Sequence, residues 1–386
     1  MNAKMWCFDP LDSWFFREAR SAGATGGGEL SSVFPPPART VAGAVRHLIG
    51  QAQEVDWDDF LRADGCPELK GLIGVGDDLG QLRLTGPYPL WKGQRLYPAP
   101  LHLLFKVEPG RERPDYVFLQ PGEPVKCDLG KVRLPILSRS LPGAKPLENI
   151  WLDRDDLERV LCCEPPVQLY RAHDLYVEEP RLGIARNNSH RTVIEGLLYQ
   201  TRHIRLQSDL SIGVTVVGEI PEPYPLQGLT RFGGEGRVGA LIVQEPPPSA
   251  ALSPLAAGQY LGLLLVLLTH ADFGGDVDDG WLPPGFTCDQ EGDVRVWRGQ
   301  LHGVELTLHM AVLGKAVREG GWDFAGRCPR PVTSLIPAGS VYFCTVAGDP
   351  EVAIKTLHGQ HIGNDTALGR GELAVGRWPI LTGEWK

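Results

Sequence analysis

A mixed α+β fold is the class this sequence predicts, and three observations predict it. With 47 glycines and 33 prolines in 386 residues, the chain demands many turns, short strands and long connections rather than a helical bundle. Apolar residues recur at helical spacing in only a few windows. Most other apolar runs are short, rich in β-branched residues and bounded by turn signals.

Taken in order, Met5 to Phe16 is a strand-like run rich in Trp and Phe. A Gly/Ser loop from Ser21 to Ser32 and the Phe34-Pro-Pro-Pro turn follow. Thr40 is then a plausible N-cap for a helix whose Val41, Val45, Leu48 and Ile49 share one face. Strand, loop and helix make the first half of a β-α-β unit. From Leu69 to Leu137, turn signals at Gly86-Pro87, Tyr97 to Pro100 and Gly122 punctuate short strands. Trp151 to Leu161 has helical periodicity.

Arg181 to Gly218 alternates around Asn187-Asn188, which predicts a β-hairpin flowing into the strand Ile212 to Val217. Gly239 to Gln244 is a further strand, Leu255 to Ala271 a buried helix, and Asp272 to Gly280 an acidic turn. Strands resume near Arg295, Val304, Tyr342 and Val352. Length favours two domains, divided here as 1–210 and 211–386.

Several classes are excluded. The N-terminus lacks the basic, apolar and small-residue regions of a signal peptide. The longest apolar stretch, Leu261 to Leu268, is far below the roughly 20 residues of a membrane span. A cytoplasmic protein with no membrane partner is expected. The eight cysteines, at 7, 66, 127, 162, 163, 288, 328 and 344, form no C-x-x-C pair, so no zinc site is expected. Most should be small buried apolar residues.

The net charge of -9 opposes nucleic-acid binding when taken as a sum, but its distribution points the other way. Between Arg181 and Arg205 stand five arginines against one acid, Glu195, whereas Glu54 to Asp59 is acidic. A basic hairpin on an acidic body offers one face to RNA and another to protein.

Gly234-Glu-Gly236-Arg-Val-Gly239 matches the dinucleotide fingerprint in form. That fingerprint must open a helix, and here a strand follows. What survives is a flexible cationic loop of Arg231, Gly233, Gly234, Gly236 and Arg237, suited to a nucleic-acid backbone. Gly369-Arg370-Gly371 is a second loop of that character. Catalytic signals are weak. His358 and His361 lack companion ligands, the acidic turn breaks EF-hand spacing, and His47 is a lone helical histidine. No catalytic group, metal or cofactor is expected.

Several segments, taken together, resemble one family. They are Leu11 to Arg20, Phe34 to Arg46, Tyr97 to Pro100, Arg181 to Ala185 through Glu195 to Tyr199, Phe232 to Arg237, Gly320 to Asp323, and Pro337 to Tyr342. In collinear order they are similar to the RAMP (repeat-associated mysterious protein) subunit numbered third in the Cmr module of type III-B CRISPR effector complexes.

The resemblance implies two ferredoxin-like (RRM-like) domains with a β-hairpin thumb and glycine-rich loops. It implies a non-catalytic subunit that binds the 5′ tag of CRISPR RNA and caps one end of an antiviral ribonucleoprotein. Its partners would be the large polymerase/cyclase-like subunit and the adjacent backbone RAMP subunit. On this reading the RNA-binding set is Arg39, Thr40 and Arg46 on the first helix, with Arg186, His190, Arg191, Arg202 and Arg205 on the hairpin. Arg231, Gly233, Gly234, Gly236 and Arg237 on one loop, and Arg370 on the other, complete it. No RNP1 aromatic motif is present, so loops and hairpin rather than a sheet face should meet RNA. The alternatives are a repeat-processing endoribonuclease using His47 and a bridge that touches only protein.

Overall fold

The structure is a computed structural model. It describes residues 3–19, 29–108, 110, 113–187, 189–190, 192–246, 262–275, 280–323 and 326–378, and the backbone alone at 185, 186 and 193–198. Strands dominate, arranged mainly in two six-stranded antiparallel sheets. The first runs, in spatial order, Gln227–Arg231, Val238–Gln244, Ala3–Pro10, Leu210–Val217, Arg83–Trp91 and Gln94–Arg95. The second runs Thr287–Glu291, Val294–Leu301, Val304–Val312, Val341–Val346, Gly262–Leu267 and Leu373–Trp378.

Both sheets share one topology. Numbered by chain position, the four strands 3–10, 83–91, 210–217 and 238–244 stand side by side in the order fourth, first, third, second. The strands 262–267, 304–312, 341–346 and 373–378 repeat that order. Membership of the two six-stranded sheets changes between Gln244 and Gly262.

The first helix, Ala38–Ala52, crosses between the first two strands of the first sheet. Its apolar stripe, Val41, Val45, Leu48 and Ile49, packs on Trp6, Phe8, Ile212 and Val214, which is why this periodicity was visible in the sequence. Thr40 is not its cap. Pro37 precedes the helix and its carbonyl accepts the N–H of Thr40 and Val41, leaving Thr40 within the first turn.

The expected helix over Leu255 to Ala271 is corrected. Residues 255–261 lie outside the described residues, and Gly262–Leu267 is an interior strand. Leu263, Leu265 and Leu267 pack against Ala353, Ile354 and Leu357 of the helix Pro350–Leu357. Leu264 and Val266 pack on the other face against Leu157, Val160 and Leu161 of the helix Arg154–Leu161. A strand covered on both faces loses its polar alternation and reads as a buried helix.

Two further elements differ. Val352 lies on the helix Pro350–Leu357, whose cap Asp349 accepts the Glu351 N–H, rather than on a strand. Ile150–Leu152 is a strand, and the helix predicted from Trp151 starts at Arg154, after Asp153 accepts the Asp156 N–H at 2.9 Å. Of the eight cysteines, all unbridged, Cys7 and Cys344 are buried while Cys288 and Cys328 are exposed. The expectation that most are buried therefore does not hold, because Cys66, Cys127, Cys162 and Cys163 are only half-buried. Among the described residues no helix is long and apolar enough to cross a membrane.

Candidate nucleic-acid interface

The predicted hairpin is present. Tyr176–Asn187 pairs antiparallel with Thr192–Leu206, in register from Tyr176 opposite Leu206 to Asn187 opposite Thr192, with an irregularity between Ile184 and Arg186. Its base is fixed to the segment that follows the strand Ala3–Pro10, where Trp14 and Ile204 exchange backbone hydrogen bonds at 2.8 and 2.7 Å. Strand alternation then sorts the basic residues. Arg181, opposite Thr201, shares a face with His203 and Arg205, whereas Arg202 points to the other side. The hairpin arginines thus do not form one surface.

Their acidic partners come from outside the basic window. Arg205 donates to Asp12 Oδ1 at 2.6 Å, while Arg181 and Arg237 donate to Asp12 Oδ2 at 3.0 and 2.9 Å. Glu179 accepts from Arg181 at 3.0 Å and also from Arg205. Hydrogen bonds from Arg205 and Arg181 hold the Asp12 carboxyl at about 2. Beneath this cluster, Ser13 and His203 are both buried, and Arg181 donates to Ser13 Oγ at 2.9 Å. Burial, reinforced by Arg237 and Arg181, pushes His203 down to about 4. On the opposite face Arg202 pairs with Glu178, at 2.9 Å, and with Glu29. Glu178 and Glu179 immediately precede the basic run in sequence, and the antiparallel ladder sets them opposite Ile204 and His203.

The hairpin tip is less fully described. His190 is exposed and its backbone N–H donates to Asn187 Oδ1 at 3.2 Å. Arg186 lies in register with Val193, but its side chain, like all of Arg191, is outside the described residues.

The glycine loop joins the strands Gln227–Arg231 and Val238–Gln244 and packs on the Trp14–Phe16 segment. The Gly234 N–H donates to the Phe15 carbonyl at 2.7 Å. Gly233 has φ +89°, and a Cβ there would lie 2.6 Å from that same oxygen. Only glycine fits such a left-handed, close approach. Gly236, at φ +66°, faces open space. Arg237 thus leans toward Asp12, whereas Arg231 is exposed, with no carboxylate in ion-pair range among the described residues. Near Arg231, His47 Nδ1 lies 3.1 Å from Thr230 Oγ1 and its ring stacks on Trp57. Burial and the Arg231 charge lower its pKa.

The remaining predicted residues are elsewhere and engaged within the fold. Arg46 donates to the carbonyls of Ile73, at 2.7 Å, Gly76, at 2.8 Å, and Asp78. Arg39 binds Asp77, Asp365 at 2.9 Å and Glu319 at 3.3 Å. Arg370 is buried, 2% exposed, and pairs with Glu319 at 2.5 Å and Asp365 at 3.0 Å. Its loop is a packing joint, since a Cβ on Gly369 would lie 2.4 Å from the Gly86 carbonyl. Arg370 is therefore corrected from a surface contact to an internal cation.

Two residues were missed. Asp12 organises two predicted arginines, Arg205 and Arg237, together with Arg181, which the predicted set left out, and the exposed Arg17 flanks the same segment. Asp12 and Arg17 both lie in the Leu11 to Arg20 motif, whose dominant feature in sequence is the aromatic run Trp14 to Phe16. Among the described residues no group of three or more His, Cys, Asp or Glu could hold a metal ion.

No curated protein matches the sequence. In fold, the chain is similar to one from a cryo-EM structure of the type III-B Cmr-beta complex bound to cognate target RNA and AMPPnP (15% identity, TM-score 0.46, covering 88% of this chain and 86% of that one). It is similar also to chains from a Csm1-Csm4 cassette with pppApA (12% identity, TM-score 0.35, 90% and 88% covered) and from a type III-A Csm3-Csm4 subcomplex (10% identity, TM-score 0.35, 90% and 94% covered). The model of the family described as CRISPR-associated protein (Cas_Cmr3) matches residues 6–378. The chain therefore belongs to the Cmr3 family of CRISPR-associated RAMP proteins.

Proposed function

We propose that this protein is a non-catalytic subunit of a type III-B effector complex that holds the 5′ tag of the CRISPR RNA and caps one end of the assembly. The observation that carries this reading is the gathering of Arg181, Arg205 and Arg237, from both hairpin strands and the glycine loop, at one partly exposed point. Guanidinium groups in such an array suit phosphate oxygens, and Arg231 adds an unpaired charge on the same loop. The large polymerase/cyclase-like subunit and the adjacent backbone RAMP subunit are the proposed protein partners. The acidic Asp56, Asp58 and Asp59 offer those partners a surface of opposite sign.

The two sheets, with their shared strand order, are proposed as two ferredoxin-like units. The first keeps the helix after its first strand, and the second keeps the helix after its third. The division then falls after Gln244 and before Gly262, with residues 96–209 an insertion into the first unit.

The test is binding of tag-bearing single-stranded RNA to the purified protein at low salt, followed by Arg231→Glu. Weaker binding by the variant, with unchanged melting temperature, is expected. Equal affinity in both would remove the glycine loop from the RNA surface. Incubation with repeat RNA addresses the ribonuclease alternative. Cleavage lost on His47→Ala would replace the non-catalytic reading.

A further inference from the structure

Three guanidinium groups from separate parts of the chain meet on one carboxylate that is itself partly exposed. Asp12 accepts from Arg205 through one oxygen and from Arg181 and Arg237 through the other, all within 3.0 Å. Asp12 is itself an exposed residue and not part of the core. Leu11 and Asp12 form a surface bend, and the Leu11 side chain is exposed. The bend carries Asp12 out over the hairpin base, where its two oxygens satisfy donors that a phosphodiester could satisfy equally well. We propose that Asp12 is a built-in stand-in for an RNA phosphate, occupying a single-phosphate site that one backbone phosphate of the guide takes over on binding.

Three features support displacement over a permanent strut. First, Glu179 grips Arg181 and Arg205 independently of Asp12, so two guanidiniums stay positioned when the aspartate leaves. Second, the Arg181, Arg205 and Arg237 side chains each retain solvent exposure, so a ligand can reach them without opening the core. Third, His203 lies buried beneath the cluster, and burial and the arginines hold it neutral. The floor therefore adds no competing charge. With Asp12 displaced, three arginines face one glutamate and the site carries a net positive charge. With Asp12 in place, two carboxylates face the three arginines and that positive charge is halved, which restrains binding of unrelated anions.

This inference rests on the RNA-holding reading, and the experiment separates the two. Affinity for tag-bearing single-stranded RNA is measured across salt concentrations for the wild type, Asp12→Asn, and Asp64→Asn as an exposed control for net charge. Displacement predicts that Asp12→Asn binds roughly tenfold tighter, about the worth of one charge-assisted hydrogen bond no longer contested. Its log–log salt dependence should match or exceed that of the wild type, while Asp64→Asn changes little. In an Arg205→Leu background the gain from Asp12→Asn should shrink, because the two act as one unit. Wild-type binding with no gain in Asp12→Asn, or an equal gain in Asp64→Asn, overturns the stand-in. A melting temperature unchanged by Asp12→Asn excludes misfolding. Absence of wild-type binding at low salt would instead refute the RNA-holding reading itself, and the inference with it.

Discussion

Arg95 donates two hydrogen bonds to Glu372, at 2.9 and 2.5 Å, joining the last strand of the first sheet to the residue that leads into Leu373–Trp378 of the second. The guanidinium lies 4.3 Å from the Tyr88 ring centroid and 4.6 Å from that of Tyr97. Glu372 is buried and the Arg95 side chain is only 11% exposed. Removing either leaves an uncompensated charge away from water, at a cost of about 3–5 kcal/mol. Arg95→Leu is expected to lose about that much stability in denaturant unfolding, whereas replacing both partners by apolar residues should cost less.

The glycine loop gives a graded prediction. Gly233→Ala must place a methyl group 2.6 Å from the Phe15 carbonyl at a positive φ. Gly236→Ala faces the same backbone strain with open space around it. Alanine at Gly236 should cost about 1 kcal/mol and at Gly233 roughly 2 kcal/mol or more. Thermal melts of the two variants check the order.

Stability should fall in mild acid. Burial pushes His102 down to about 3 and His309 down to about 4, below the ordinary value near 6.5. His102 is fully buried between Phe118 and Phe343, and neither of its ring nitrogens has a hydrogen-bond partner. The folded protein holds these histidines neutral while the unfolded chain takes up protons. Their contribution is therefore full above about pH 6.5 and is lost as the pH drops toward 4, by up to about 1.4 kcal/mol per pH unit for each group. Urea unfolding at several pH values measures the slope, and His102→Phe should flatten it.

Much of this fold was legible in the sequence where one face of an element meets water. The first helix and the hairpin announced themselves by periodicity, because Val41, Val45 and Leu48 alternate with exposed positions along one side. Gly262–Leu267 did not, because both of its faces are covered. The interface was legible in residue type but not in pairing. Counting charge along Arg181 to Arg205 could not show that Glu179, just outside the window, lies across the ladder from His203, or that Asp12 arrives from the bend after the first strand. Nor could the sequence distinguish Gly233, which shapes a surface loop, from Gly369, which permits backbone packing between the sheets. Arg370 shared that ambiguity, and its burial follows from the same close approach.

The most direct measurement is protein–RNA crosslinking in the assembled complex, with the adducts mapped to residues. A guide-RNA tag held at the hairpin base predicts adducts at the tag nucleotides within Leu11–Arg17, Arg181–Arg205 and Arg231–Arg237. Adducts confined to other faces of the chain, or none in a complex that contains guide RNA, would contradict the account.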